Sequence, residues 1–323
     1  MKALKVPLNK AQKVKKILME KDLFLKGYKY KKSDGFIFYP VKKGLEGFEL
    51  IEIEFEESKK IPDLKKALRN DLNKIELEKL KTAFDVVGSI AILEVDLELR
   101  DKEQIIAKRL LETNHSIKTV LRKDDKHQGD FRTQKMKYLA GVKTKETIHK
   151  ENGARLLVHV EEVYFSPRLG NERIRISNKI KKGEEVLVLF SGAAPFPIVI
   201  AKNSDAKKIV GVEHNKKGHQ YGLKNVELNK LENVELYCLD ANKFEGKFDR
   251  VVMPAPDNAF DFLQKITIWS KRYVHIYTFA RPEEFKEIKA KVKKSIPSSK
   301  NFKFVKCGSH APGVFRVCID FEL

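Results

Sequence analysis

The chain is poor in cysteine. It has three in 323 residues, Cys238, Cys307 and Cys318, and no two form a CxxC pair. That spacing excludes a thiolate zinc cluster and a disulfide framework, and it points to free thiols in a reducing compartment. The eight histidines show no HxxxH or HxH pair, so no metal site is expected. No run approaches the roughly 18 apolar residues of a membrane span. The N-terminal stretch MKALKVPLNKAQKVKK has no apolar signal core. Neither G-x-G-x-x-G nor a phosphate-binding loop with its Lys-Ser/Thr is present, which disfavours NAD and ATP. Internal repeats and low-complexity tracts are also missing. These absences leave a soluble, cytoplasmic protein as the expectation.

What is present is positive charge. Charged residues make up 34% of the chain, with 65 Lys+Arg against 45 Asp+Glu and a formal net charge of +20. A lysine- and glutamate-rich proteome explains high charge content but not this imbalance. The excess predicts attraction to a polyanion: RNA, DNA or an acidic membrane surface. A hydrophobic content of 42% suffices for two or three cores in a chain of this length.

Residues 1–58 read as a small α/β unit. AQKVKKILMEKDLF places Ala11, Val14, Ile17 and Leu18 on one helical face. DGFIFYPV reads as a strand, and IEIEFEE alternates with Ile51, Ile53 and Phe55 on one side. Residues 59–81 are charged and helix-prone and read as a linker. A middle domain over 82–162 begins with FDVVGSIAILEVD, a hairpin around Gly88. DKEQIIAKRLLETN follows as a helix with Ile105, Ile106, Leu110 and Leu111 toward a core. IKTVLRK is a strand, and DDKHQGDFRTQKMKYLAG is a long loop of the kind that often carries function.

The last domain, 163–323, opens on VYFSPRLGNERIRI, which sets Glu172 among Arg168, Arg173 and Arg175. A surface salt bridge is the plain reading of that cluster, and exposed pairs are worth little. From Glu184 strands alternate with helices: EVLVLF, AKKIVGVE, NVELYCLD, KFDRVVMPAP and RYVHIYTFA. FDFLQKITIWS reads as a helix with Phe262, Leu263, Ile266 and Trp269 at helical spacing. The pattern implies a parallel, Rossmann-like sheet covered on both faces. NFKFVKCGS and VFRVCIDFEL, joined by HAPG, close it as an antiparallel hairpin.

In such a sheet ligands bind at the carboxyl ends of the strands. Three ends carry a signal here. FSGAAPF is a small-residue turn that lets a ligand approach the backbone. Glu213 ends the second strand, where an acid can accept from both ribose hydroxyls or simply be solvated. Asp240 ends the third and can bond an adenine amine. Turn, ribose acid and adenine acid, in that order and with no phosphate cradle, suit S-adenosylmethionine.

TVLRK, GDFR, LAG, TIHKENG, VYFSPRL followed by ER, FSGAAPF, VVMPAP and HAPG succeed one another as in the archaeal and eukaryotic-type tRNA (guanine-N1)-methyltransferases. The chain resembles that family from about residue 84 to the end, and its small first unit is also similar. The resemblance implies a class I methyltransferase that uses S-adenosylmethionine to methylate N1 of guanosine at tRNA position 37. It implies contacts to the anticodon stem-loop and, through the first domain, to the outer corner of the tRNA. A single chain then carries every part needed, so a monomer is expected.

The same resemblance implies residue roles. Glu172 matches a general base for the N1 proton. Desolvation raises a carboxylate toward that task. Arg132 in GDFR matches a guanidinium that stabilises charge building on O6, and Tyr164 shapes the pocket between base and cofactor. Arg173, Phe190, Ser191, Gly192, Ala194, Pro195, Phe196, Glu213, His214, Asp240, Ala241 and Pro254 fall where the family holds its cofactor. Two positions depart from the pattern. Val188 stands where many relatives have an acid, and Pro254 where many have an asparagine whose amide can read the guanine edge. Other donors, such as Asn258 or backbone groups, are then needed, or the target base differs. Related alternatives are aminocarboxypropyl or methyl transfer to a wyosine precursor, and a non-catalytic tRNA-binding relative.

Overall fold

In a computed structural model, residues 1–57, 63–124, 133–257 and 259–323 are described. They divide into two units, Met1–Lys66 and Ala67–Leu323.

The first unit is a four-stranded antiparallel sheet with one helix. Its elements are β1 (Lys2–Pro7), α1 (Ala11–Glu20), β2 (Lys31–Ser33), β3 (Phe36–Pro40) and β4 (Glu49–Glu52), in sheet order β2-β3-β1-β4. Val14 and Leu18, four apart on α1, are buried against Leu4, Val6, Ile37 and Tyr39. The apolar alternation from Ile51 to Phe55 continues as expected; β4 ends at Glu52, and one further reciprocal pair of backbone bonds joins Ile53 to Met1.

α2 (Leu64–Ala67) falls at the boundary between the units, and α3 (Lys74–Lys79) lies near the start of the second. The charged, helix-prone stretch read as a linker contains these two short helices. α3 starts on a reciprocal cap between Asn73 and Glu76, which satisfies two otherwise orphaned backbone donors. β5 (Asp85–Val87), β6 (Ile90–Leu93), α4 (Glu103–Thr113), β7 (Thr119–Lys123) and β8 (Met136–Gly141) follow, with the strands in the order β5-β6-β7-β8. α4 is the crossover that allows β6 and β7 to run parallel. Ile106 and Leu110 are buried, whereas Ile105 is 37% exposed, so the core-facing stripe is narrower than expected. The stretch read as one long loop ends in a strand, because Met136, Lys137, Tyr138 and Ala140 pair along β7, with Leu139 at a bulge.

A hairpin of β9 (Glu146–Glu151) and β10 (Ala154–His159) was not legible as such. It is tied down by α7 (Lys216–Leu228) and the residue that ends it. Asn225 Oδ1 accepts from the Leu157 N–H at 2.6 Å, and its Nδ2 donates to the Leu157 carbonyl at 2.9 Å. Asn229 repeats this on Arg155 at 2.9 and 2.6 Å. Two side-chain amides four residues apart thus complete the edge of β10 as a neighbouring strand would.

The large sheet has seven strands: β11 (Glu185–Leu189), β12 (Lys208–Glu213), β13 (Val234–Cys238), β14 (Phe248–Met253), β15 (Ser270–Ala280), β16 (Lys300–Ala311) and β17 (Val314–Glu322). Their order is β13-β12-β11-β14-β15-β17-β16. The first five run parallel and β17 pairs antiparallel with β15 and β16, as the apolar runs and closing hairpin imply. α5 (Gly170–Ser177), α6 (Pro195–Asn203), α7, α8 (Ile266–Trp269) and α9 (Phe285–Ser295) complete the unit. Residues 259–265 are 3₁₀ and only Ile266–Trp269 is α-helical. Strand order reverses between β11 and β14, which makes their carboxyl ends the place for a ligand.

Candidate functional site

At the end of β11 the chain turns sharply. Phe190, Gly192 and Ala194 have φ of +54°, +55° and +61°. For phenylalanine and alanine that left-handed backbone costs on the order of 1–3 kcal/mol each. The turn is held by the Ser191 N–H donating to Val212 at 3.0 Å and the Ala194 N–H donating to Ser191 at 2.9 Å. Phe190 packs edge-on against Phe262 at 5.2 Å. Pro195 then opens α6, where its missing N–H is one the helix could not use, and Phe196 is buried behind it.

Glu213, at the end of β12, reaches back to this turn. Its Oε2 accepts from the Gly192 N–H at 2.6 Å and its Oε1 from the Asn215 N–H at 2.7 Å. Burial pushes its carboxyl up, and these backbone donors partly oppose the shift. Each oxygen keeps a lone pair for a further donor, such as a ribose hydroxyl. His214 beside it is exposed. Asp240 caps the turn after β13, accepting from the Asn242 N–H at 2.8 Å, and Ala241 within that turn is buried. Pro254 is half-buried, one residue past β14. The residues implied for the cofactor on β11, β12, β13 and β14 therefore line successive strand ends on one edge of the sheet. An accessible glycine backbone, a half-buried acid and a second acid fit an adenosine-bearing ligand without phosphates.

Glu172 lies in the first turn of α5 and is 4% exposed. Arg175 grips both of its oxygens, Nε to Oε2 and Nη2 to Oε1, each at 2.7 Å. The Tyr277 hydroxyl donates to Oε1 at 2.6 Å. The plain salt-bridge reading thus names a correct partner but the wrong environment, since Glu172 is buried and Arg175 half-buried. Arg175 continues to Asp320 at 2.7 Å, and Asp320 to His275 at 2.6 Å. Arg250 donates to Nε2 of His275 at 2.7 Å. A guanidinium can only donate, so Nε2 accepts and Nδ1–H points at Asp320. Burial alone would raise the Asp320 carboxyl, but the bonds from His275 and Arg175 outweigh it and hold it well below the carboxylate range. His275, Cys318 and Asp320 are close enough to share a metal ion. Arg175, Lys179 and Arg250 already occupy the acid and the imidazole, so this cluster does not fit one.

The other two arginines of the segment have separate partners. Arg168 bonds Asp85 at 2.8 Å. Arg173 is 1% exposed. It bonds both oxygens of Glu151 and the Ser166 carbonyl. Its guanidinium lies over Phe165 at 5.3 Å and Phe196 at 5.8 Å. It thus joins the β9–β10 hairpin to α5 and meets α6 through the Phe196 ring. Tyr164 is half-buried beside the glycine turn, its carbonyl 3.7 Å from where a Cβ on Gly192 would stand. Its hydroxyl accepts from Arg316 Nη2 at 2.8 Å. Arg132 and Asn258 lie outside the described residues.

Val188 is fully buried with Ile176, Phe196, Val252, Tyr277 and Cys318. An acid there would face an apolar cluster, so valine suits this interior. Tyr277 and Arg316 were not anticipated. Arg175 was one of the three arginines weighed as a salt-bridge partner, and its place three residues after Glu172 is a helical pairing distance. Tyr277 is 105 residues from Glu172, and Arg316 is 152 from Tyr164, so no local pattern marks either.

Residues 147–303 match the TRM5/TYW2 methyltransferase domain, residues 64–144 the TYW2 N-terminal domain, and residues 3–49 the tRNA methyltransferase 5 N-terminal domain. The chain is 32% identical to the tRNA (guanine(37)-N(1))-methyltransferase Trm5b of Pyrococcus abyssi, over 99% of this chain and 98% of that one. A complex of aTrm5 with tRNALeu superposes with a TM-score of 0.74 at 29% identity, covering 99% of each chain. Methanocaldococcus jannaschii Trm5 in complex with adenosine superposes with a TM-score of 0.69 at 28% identity, over 99% of this chain and 98% of that one.

Proposed function

The chain belongs to the TRM5/TYW2 methyltransferase family, and from that premise we propose that it transfers a methyl group from S-adenosylmethionine to N1 of guanosine 37 in tRNA. When bound, S-adenosylmethionine supplies an electrophilic methyl group. Glu213, Asp240 and the Phe190–Phe196 turn are the residues that hold it. The substrate is tRNA, in keeping with the +20 charge and the salt-sensitive attraction such a balance produces.

One observation carries the reading: a carboxylate, Glu172, is buried and fixed by Arg175 and Tyr277. Tyr277 in turn packs on Phe196 of the cofactor helix, with ring centroids 6.0 Å apart. N1 of guanine must lose its proton to become a methyl acceptor. Glu172 takes that proton, and a positioned base of this kind contributes about 10²–10⁴-fold. Negative charge then moves to O6, where Arg132 donates. Tyr164 walls the pocket between purine and cofactor. The chain acts as a monomer in the cytoplasm, and the first unit contacts the outer corner of the tRNA.

The test is nucleoside mapping. An unmodified transcript bearing guanosine 37 is incubated with methyl-labelled S-adenosylmethionine, digested and resolved by mass spectrometry. Labelled 1-methylguanosine is expected. A nucleoside carrying an aminocarboxypropyl group would assign the other transfer. Cofactor binding with no product would assign a non-catalytic tRNA-binding role.

A further inference from the structure

A purine held at this strand edge needs a donor for its Hoogsteen side, and β14 does not supply one there. Pro254, the first residue beyond that strand, has neither a side-chain donor nor an N–H. The neighbouring strands extend further. Met253 pairs with Ile276, whereas Arg316 on β17 pairs with Phe279, three residues farther along β15. At roughly 3.3 Å per residue this carries Arg316 about 10 Å beyond the end of β14, on the sheet edge that carries the cofactor turn.

Two contacts hold its guanidinium there, and a third holds its backbone. Nη2 donates to the Tyr164 hydroxyl at 2.8 Å, beside the glycine turn. The Phe279 ring lies 5.5 Å from Cζ and is itself stacked on His310 at 3.9 Å. The Cys307 thiol bonds the Arg316 carbonyl at 3.4 Å. Yet the charge is under-used. Among the described residues no carboxylate pairs with it, and its Nε is buried without an acceptor. Tyr164 is a neutral partner. Arg250, by comparison, has Glu184 and a carbonyl, and Arg173 has Glu151 and a carbonyl.

We propose that Arg316 is a specificity residue that reads the N7–O6 edge of the target purine. Of adenine and guanine, only guanine presents two adjacent acceptors on that edge, and a guanidinium can donate to both. Adenine places a donor at position 6 and is repelled. The oxygen O6 has two lone pairs, so a second donor to it is compatible. Tyr164 sets the guanidinium plane through its hydroxyl, and Phe279 supports it from below. The inference rests on the proposed methyl transfer to guanosine 37 and names how the base is chosen.

The experiment is a cycle between protein and substrate. Wild type and R316M are each measured with transcripts carrying guanosine or 7-deazaguanosine at position 37. Both kcat/KM and tRNA Kd in the presence of S-adenosylhomocysteine are recorded. Wild type is expected to lose about 10-fold on 7-deazaguanosine. R316M is expected to lose about 10- to 100-fold on guanosine, the range of one good base contact, and to show no further 7-deaza penalty. S-adenosylmethionine affinity should be unchanged in R316M. An undiminished 7-deaza penalty in R316M assigns Arg316 to a phosphate or to folding and overturns the inference. Wild type indifferent to N7 also overturns it. N7-dependent binding through Arg316 without 1-methylguanosine formation would uphold the inference and reject the methyl-transfer reading.

Discussion

The Tyr277 hydroxyl donates to Oε1 of Glu172 at 2.6 Å, across 105 residues of sequence. It joins the first turn of α5 to the middle of the large sheet. Burial pushes the Tyr277 hydroxyl pKa well up, so it remains a donor at any working pH. Removing it leaves a buried carboxylate with one partner fewer. Tyr277→Phe should therefore lower stability by about 1–3 kcal/mol, measured by urea unfolding, while the ring keeps its contact with Phe196. In a Glu172→Gln/Tyr277→Phe cycle the two losses should be non-additive. Independent losses would mean that the hydroxyl does not hold the carboxylate.

Glu213 is bonded by the backbone of the glycine turn and has lone pairs to spare. Glu213→Gln keeps its shape but loses the charge and one acceptor. Its Kd for S-adenosylmethionine should rise about 10- to 100-fold, as expected for a hydrogen bond to a charged group. Calorimetry checks this, and an unchanged Kd would remove Glu213 from the cofactor site.

Two buried groups make stability depend on pH in the same direction. Burial lowers the His275 pKa, with the Asp320 bond partly opposing it. The unfolded chain therefore binds a proton that the folded chain resists, and stability falls as pH drops below about 6.5. Asp320 is depressed, so its contribution is present above the ordinary carboxyl value of about 3.9 and is lost below it. The melting temperature should be level from pH 8 to 7 and fall from there toward pH 4. His275→Gln should flatten the decline between pH 7 and 5 and leave the loss below pH 4. An identical slope in the variant would exclude His275 as the source.

The +20 charge should be visible in binding. Exposed lysines occur on α1, at Lys13, Lys15 and Lys16, and on α9, at Lys286, Lys289 and Lys293. Affinity for tRNA should fall steeply between 50 and 200 mM salt, by on the order of 10²-fold or more. A flat salt dependence would show that lysine–phosphate contacts are few.

The sequence was legible where a residue's role is local. The apolar run ending in Glu213 marked β12, because a buried parallel strand is apolar until it emerges at the sheet edge, whereas β13 is an outer strand with only Val234 buried and stood out by its place in the strand–helix alternation. The helix expected at Phe262–Trp269 became 3₁₀ over its first half, since spacings of three serve both helix types. Ile105 was placed inward by adjacency to Ile106, but a helix turns by 100° per residue and α4 buries only one stripe. Glu172 was singled out by its three arginine neighbours. Which arginine holds it, and that Tyr277 completes the grip, depends on strand packing that sequence spacing does not encode. The same is true of Arg316, which reaches Tyr164 only because β17 lies beside β15.

The most direct measurement is the single-turnover rate of Glu172→Gln on a guanosine-37 transcript, with tRNA affinity measured on the same protein. The variant is expected to react at least about 10²-fold more slowly while its tRNA Kd stays within about twofold, a spread of only ~0.4 kcal/mol. Methyl transfer at the wild-type rate, with Glu172 replaced and tRNA bound, would contradict the assignment of this carboxylate as the base.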